Sequence, residues 1–208
     1  PLSECEIAMG HLKNKTYDFD NGPICAVQGF TLKGEFAIGS DTGGTPAVPS
    51  DCLIATNLTG NYSSNKRNVA TSPTMDLSQC DGVADGVAIT WDMYFETGSG
   101  DTLRMLVSSD GGQTWYRMRT FTESTADWIN YQQDVTYHAK TDSFRIKFIF
   151  DSDASGNARG VYIDNISIVR TAVPPTPDQG VLDPNADDED EEEQLECATS
   201  LTAVIRDF

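Results

Sequence analysis

Val87, Ile89, Trp91, Met93 and Phe95 alternate with Ala88, Thr90, Asp92 and Tyr94, a repeat of two sustained over nine residues. Such a repeat is what a strand with one buried face requires, because successive side chains leave the backbone on opposite sides. The pattern recurs along the chain. Leu103, Met105 and Val107 take it up beyond the turn at 97–101, and Phe144, Ile146, Phe148 and Phe150 face away from Arg145 and Lys147. The stretch Val161–Val169 closes the series, and its alternation slips at Asp164 and Asn165, which predicts a local irregularity. Shorter strands are expected at Tyr17–Asp20, Thr31–Ile38, Leu53–Thr56 and Asn68–Thr71, and no segment shows a sustained helical stripe with caps. Many strands separated by Gly, Asp and Ser turns predict an all-β fold, an antiparallel β-sandwich.

Charge narrows the class of partner. The 208 residues carry a formal charge of -18; from Ala172 to Phe208 there are eleven acidic residues against one Arg, a net of -10, which leaves -8 for the rest. A surface this negative repels phosphate backbones, so nucleic acid is not an expected partner. Calcium, which takes several carboxylate and carbonyl oxygens, is. No apolar run approaches the roughly 20 residues needed to cross a bilayer. The chain opens on Pro1 without a basic region followed by an apolar one, and so reads as a processed fragment with no signal peptide.

Five cysteines (Cys5, Cys25, Cys52, Cys80, Cys197) are scattered with no C-x-x-C pair, which sets zinc knuckles and thioredoxin-like sites aside. Sequons at Asn14, Asn57, Asn61 and Asn165 suit a secreted chain. The expected setting is oxidising and extracellular or cell-surface. The simplest pairing joins Cys5 to Cys25 and Cys52 to Cys80, leaving Cys197 odd.

Composition breaks after Arg170. The sequence divides into an N-terminal extension (1–16), a sandwich domain (17–170), a Pro-rich and acidic linker (171–194) and a C-terminal segment (195–208). The linker holds Thr171–Pro177, stiffened by three prolines, and the acidic run Asp187–Glu193. In the last segment Leu201, Ala203 and Ile205 share one face of an expected strand, able to return to its own sandwich or to add to a neighbouring subunit.

Residues that carry chemistry are few. Ser108-Ser109-Asp110-Gly111-Gly112-Gln113-Thr114-Trp115 is similar to the Asp-box of sialidases, here present once. It reads as a folded hairpin: Asp110 bonds turn amides, the glycines permit positive φ, and Trp115 packs inward. The turn-rich run Thr56–Asn65 offers carbonyls and side-chain amides that suit a cation or a partner. Asp18 and Asp20 near the start and Asp164 near the end are the candidate metal ligands, with carbonyls of the 60–65 loop completing a calcium shell. The loop Asp151–Asn157 lacks the Glu of an EF-hand and is expected to be an ordinary turn. His138 is expected in a solvated turn. With His11 it makes up the histidine complement, and neither His-Glu-x-x-His nor G-x-S-x-G occurs, so no enzyme is expected. Trp128, Tyr131 and Tyr137 are aromatics that a concave sheet face would present to a glycan.

Five segments together resemble one family. Tyr-Asp-Phe-Asp-Asn-Gly (17–22), Thr-Asn-Leu-Thr-Gly-Asn-Tyr (56–62), Thr-Ser-Pro-Thr-Met-Asp-Leu-Ser (71–78), Val-Ser-Ser-Asp-Gly-Gly-Gln-Thr-Trp (107–115) and Gly-Val-Tyr-Ile-Asp-Asn-Ile (160–166) look like MAM-like jelly-roll domains. Such domains are appended to immune inhibitor A-type secreted proteases and to bacterial cell-surface adhesion proteins. The resemblance covers Tyr17 to Val169 and implies a jelly roll of two antiparallel sheets with an extracellular, non-catalytic role. It also implies Ca2+ between the first strand and the Ile-Asp-x-Ile strand, held by Asp20 and Asp164 with Asp18 next. Tyr17 stands where a MAM domain has Cys. The leading expectation is a calcium-binding adhesive or structural subunit of a self-assembling surface structure. The alternatives are an accessory domain of a secreted protease and a carbohydrate-binding module.

Overall fold

The computed structural model describes residues 17–21, 24–41, 52–80, 85–172, 174 and 176–186. These form two large antiparallel sheets packed face to face. One has the spatial order β10 (Ile129–Asp134), β7 (Asp85–Glu96), β12 (Gly160–Ala172), β5 (Leu53–Ala55), β4 (Ala37–Gly39). The other runs β13 (Val181–Leu182), β9 (Tyr116–Phe121), β8 (Thr102–Ser108), β11 (Arg145–Asp151), β6 (Arg67–Thr71), β3 (Thr31–Lys33). A short ribbon of β1 (Asp20–Asn21) and β2 (Ile24–Cys25) lies apart from both. Within the large sheets only β4–β5 and β8–β9 join strands consecutive in sequence; elsewhere the chain crosses between layers, the wiring of a jelly roll. Helix is confined, among the described residues, to α1 (Thr136–Ala139) and a 3-10 turn at Ser78–Cys80.

The core lies where the alternation places it. Ile89, Trp91, Met93 and Phe95 of β7 face Met105, Phe148 and Phe150 across the sandwich, all of them fully buried. Each such side chain contributes about 1.5–3 kcal/mol of burial. The slip in the last long strand is a β-bulge: the β12–β7 register shifts between Asp164 and Ser167, and Asn165 takes φ 52°.

Three differences from the sequence reading have physical causes. The expected strand Thr31–Ile38 is two strands in different sheets, β3 on β6 and β4 on β5. Gly34 makes the break at φ +70°, where a Cβ would stand 2.4 Å from the Arg67 carbonyl oxygen, so only glycine fits. Next, Cys25 is bonded to Cys52, with a Cα–Cα distance of 5.4 Å, in place of the expected Cys5–Cys25 and Cys52–Cys80 pairs. Spacing alone could not choose, because the β1–β2 ribbon brings Cys25 to the start of β5. Cys80 is also disulfide-bonded and pairs with neither. Cys5, Cys197, the acidic run 187–193 and the segment 195–208 lie outside the described residues.

The third difference concerns the linker. Residues 176–186 sit on the sandwich: Val181 and Leu182 pair with Arg117 and Tyr116, extending the six-stranded sheet. Beyond them Asp183 is buried against Arg104 (2.6 Å), and the Ala186 carbonyl accepts from the buried Lys147 ammonium (2.8 Å). Lys147 also lies 4.3 Å over the Trp115 ring. With Val69, Leu106 and Ile149, Trp115 and Ala186 form a second apolar cluster on the outer face of this sheet. No described helix is long and apolar enough to cross a membrane.

Candidate functional site

The two sheets meet solvent along one side where β9 and β10 run past each other. At one end of this side, segment 176–182 and α1 fill the gap. Asp178 accepts a bond from the Gln133 side chain (2.8 Å) and donates its N–H to Asp134 (2.9 Å), and Tyr116 packs on His138 with ring centroids 4.4 Å apart. His138 is buried, with Nε2 2.8 Å from the Gln179 carbonyl, and is not the solvated turn residue expected from sequence. At the other end the side stays open. There a cleft of about 450 Å3 is lined by Arg119, Phe121, Ile129 and Tyr131 and rimmed by Thr120, Thr122, Glu123, Ser124 and Thr125.

Strand periodicity aims these residues. The β8–β9 register shifts between Met105 and Leu106, so Arg119 lies opposite Met105 and Phe121 opposite Leu103, on the inner face. In β10, Ile129 and Tyr131 oppose Met93 and Trp91, again on the inner face. Tyr131 stacks on Trp91 (5.5 Å, 20°) and meets Phe121 edge-on (5.1 Å). The Arg119 guanidinium rests over both rings, 5.3 Å from Phe121 and 5.0 Å from Tyr131. Burial raises the Tyr131 phenol pKa, against the opposing pull of Arg119. The rim is tied down: the Thr125 N–H and hydroxyl bond the Phe95 carbonyl (2.6 and 3.3 Å), the Phe95 N–H bonds the Thr125 hydroxyl (3.0 Å), and Ser124 accepts from the Thr97 N–H (2.9 Å). The Trp91 indole N–H, fully buried beneath Tyr131, has no hydrogen-bond partner. A buried donor left so costs about 1–3 kcal/mol.

The other sequence-predicted residues lie elsewhere. Trp128 packs against Leu53, Ala55, Tyr94 and Tyr162 on the outer face of the five-stranded sheet, its ring 6.2 Å from Tyr94. The repeat of two that points Tyr131 inward turns Trp128 outward, so the two aromatics do not share a face. Tyr137 is exposed on α1. Sequence reading found Tyr131 but missed Arg119 and Phe121, because the alternation of Tyr116 and Met118 with Arg117 and Arg119 would turn Arg119 outward, and the register shift that brings it inward leaves no mark in the sequence.

The metal candidates are only partly gathered. Tyr17 pairs with Ile166 (2.9 and 3.2 Å), so the opening segment does run beside β12. Asp164 is buried, its carboxylate accepting from the Asn165 N–H (2.7 Å). Asp18 accepts from the Gln28 side chain (3.1 Å) and the Asp20 N–H (3.2 Å), while Asp20 is exposed. The 60–65 loop is bonded to the distant turn 152–158, through Tyr62 N–H to the Ala158 carbonyl (3.1 Å) and Asn65 N–H to the Asp153 carbonyl (2.8 Å). Among the described residues no three His, Cys, Asp or Glu side chains gather as a metal site. Calcium asks for six to eight oxygens, and the described carboxylates do not by themselves supply that shell.

The Asp-box forms the hairpin expected of it. Asp110 accepts from the Thr114 N–H (2.8 Å) and the Ser108 hydroxyl (2.7 Å), Gly112 N–H bonds the Ser108 hydroxyl (2.8 Å), and Gly111 and Gly112 sit at φ 77° and 100°. The loop 151–157 is likewise structural: Asp151 pairs with Arg67 (2.8 Å) and Arg104 (2.7 Å), and buried Asp101 accepts from the Asp153 N–H (2.6 Å) and from the Tyr62 hydroxyl.

No family model matches the chain, and no curated protein is similar to it. Among solved structures it is similar to several at low identity. The K1 cleaved adhesin domain of Lys-gingipain from Porphyromonas gingivalis is 13% identical, over 73% of this chain and 95% of that one, with a TM-score of 0.47. The CBM22-1 xylan-binding domain from Paenibacillus barcinonensis Xyn10C is 16% identical over 76% and 93%, with a TM-score of 0.45. TmCBM61, solved in complex with β-1,4-galactotriose, is 15% identical over 68% and 88%, with a TM-score of 0.43. The MAM-like resemblance rests on its motifs alone.

Proposed function

We propose that this chain is a non-catalytic, extracellular carbohydrate-binding domain and that the β9–β10 cleft is its glycan site. One observation carries the reading: an aromatic-walled cleft whose polar groups are left over for a ligand. The Tyr131 hydroxyl, the Arg119 guanidinium and the Glu123 carboxylate have no hydrogen-bond partner among the described residues, and Trp91 N–H lies unpaired below. Apolar walls with a few convergent donors and acceptors suit a polyhydroxylated ring, which offers C–H faces to aromatics and hydroxyls to polar groups. The volume falls in the range usual for small-ligand sites, about 300–1,000 Å3.

Affinity gel electrophoresis against a panel of soluble polysaccharides tests it. Tyr131→Phe, which keeps the ring and removes the hydroxyl, weakens retardation, and Tyr131→Ala abolishes it. Trp128→Ala leaves it unchanged. Loss of binding with Trp128→Ala alone would move the site to the outer face and overturn the assignment.

The adhesive-subunit expectation depends on residues 195–208, which lie outside the described residues. Calcium is carried as a proposal on one observation, that the segments bearing Asp18 and Asp164 are joined at Tyr17–Ile166. An ion bridging them raises Tm in calcium relative to EDTA; superimposable melts remove calcium from the account.

A further inference from the structure

We infer that the cleft selects glycans bearing a carboxylate, with Arg119 as the residue that reads the charge, an inference that rests on the glycan reading above. The chain has 32 acidic residues for 14 Lys and Arg. Most of the described arginines are engaged: Arg67 and Arg104 pair with Asp151, Arg159 with Asp41 (2.8 Å), and Arg145 bonds the Ser72 carbonyl (2.9 and 3.0 Å). Arg117 and Arg119 give no side-chain N–H donor to an acceptor among the described residues, and of the two it is Arg119 that lies half-buried on the Phe121 and Tyr131 rings of the cleft.

The ring contacts fix the plane of the guanidinium, so little side-chain freedom is lost when a ligand binds. The aromatic walls lower the local dielectric, which strengthens any ion pair formed there. A planar fork of paired N–H donors matches the two oxygens of a carboxylate, whereas a sugar hydroxyl engages one donor at a time. Glu123, the acidic residue of the rim, is exposed and forms no ion pair with Arg119. It is placed to accept from hydroxyls of the same chain of sugars.

Polygalacturonate and its carboxyl-reduced counterpart share one backbone linkage and differ in charge, which makes them the probes. Titration calorimetry of the full chain is expected to show tighter binding to polygalacturonate, weakening as salt is raised, with the reduced polymer bound more weakly and independently of salt. Arg119→Gln lowers affinity for the acidic polymer about 10- to 100-fold, the range for hydrogen bonds to a charged group, and removes its salt dependence, while the reduced polymer, which engages one donor at a time, loses less. Arg119→Lys keeps the charge but loses the fork, and recovers only part of the loss. Equal binding of both polymers by the unaltered chain, with Arg119→Gln weakening both alike, overturns the carboxylate inference and leaves the glycan reading standing. Absence of binding to either polymer and to a neutral polysaccharide panel overturns both.

Discussion

Asp110 shows how one carboxylate fixes a turn. Burial opposes its charge, yet hydrogen bonds from the Thr114 N–H and the Ser108 hydroxyl outweigh this and hold its pKa below the ordinary carboxylate value. A depressed folded-state pKa contributes stability that is fully present above the unfolded value, near 3.9, and lost as pH falls through the lower folded one. Asp110→Ala therefore costs about 1–3 kcal/mol at neutral pH, and the gap from the unaltered chain narrows below about pH 4, as urea denaturation at stepped pH will show. This hairpin was legible because every residue in it acts on its near neighbours. Asp164 was legible only in part: the broken alternation around it announced the bulge, but not which groups surround its carboxylate. The cysteine pairing was not legible at all, since it depends on where the β1–β2 ribbon lies.

At the scale of elements, the strands buried on one face announced themselves and the edge strands did not. β7, β8, β11 and the last long strand all show the repeat of two because one face of each meets the core. β9 and β10 carry Arg, Thr, Asn and Gln toward solvent, and the register shift in β9 breaks its short alternation, so neither stood out from loop and the cleft they form was hidden with them. The segment 176–186 was hidden differently. Its prolines and acids read as a solvated linker, yet Asp183 neutralises an arginine that β8 places under it, a contact distant in sequence. The side chains of Arg104 and Asp183 are 9% and 3% exposed. Removing Asp183 leaves the buried guanidinium with the more exposed Asp151 as its one carboxylate partner, so Asp183→Ala is expected to cost about 3 kcal/mol, lowering the urea midpoint without changing the slope. A midpoint shift of less than about 1 kcal/mol equivalent would mean that Asp151 alone satisfies Arg104.

Over the whole molecule, the fold is held by a shared apolar interior and by a cross-link near its start. The Cys25–Cys52 bond closes a loop with a sequence separation of 27, which in the chain-entropy view stabilises by about 2–4 kcal/mol. Replacing both cysteines with alanine should lower Tm by several degrees while leaving glycan binding intact, because the cleft lies among strands that the cross-link does not touch. Loss of binding at a temperature where the variant is still folded would show that the two halves are coupled.

The way the chain leaves β12 has a mechanical consequence. It crosses from one layer to the other and is clamped by Asp183 before residue 187, so a pull from anything joined beyond that point reaches the Lys147 bond, the Arg104 ion pair and β13 first. Tension would break the Lys147 bond to the Ala186 carbonyl and the Arg104–Asp183 pair and peel a two-residue strand before it loaded the thirteen-residue strand behind them. The docked segment thus yields while the sandwich behind it still holds.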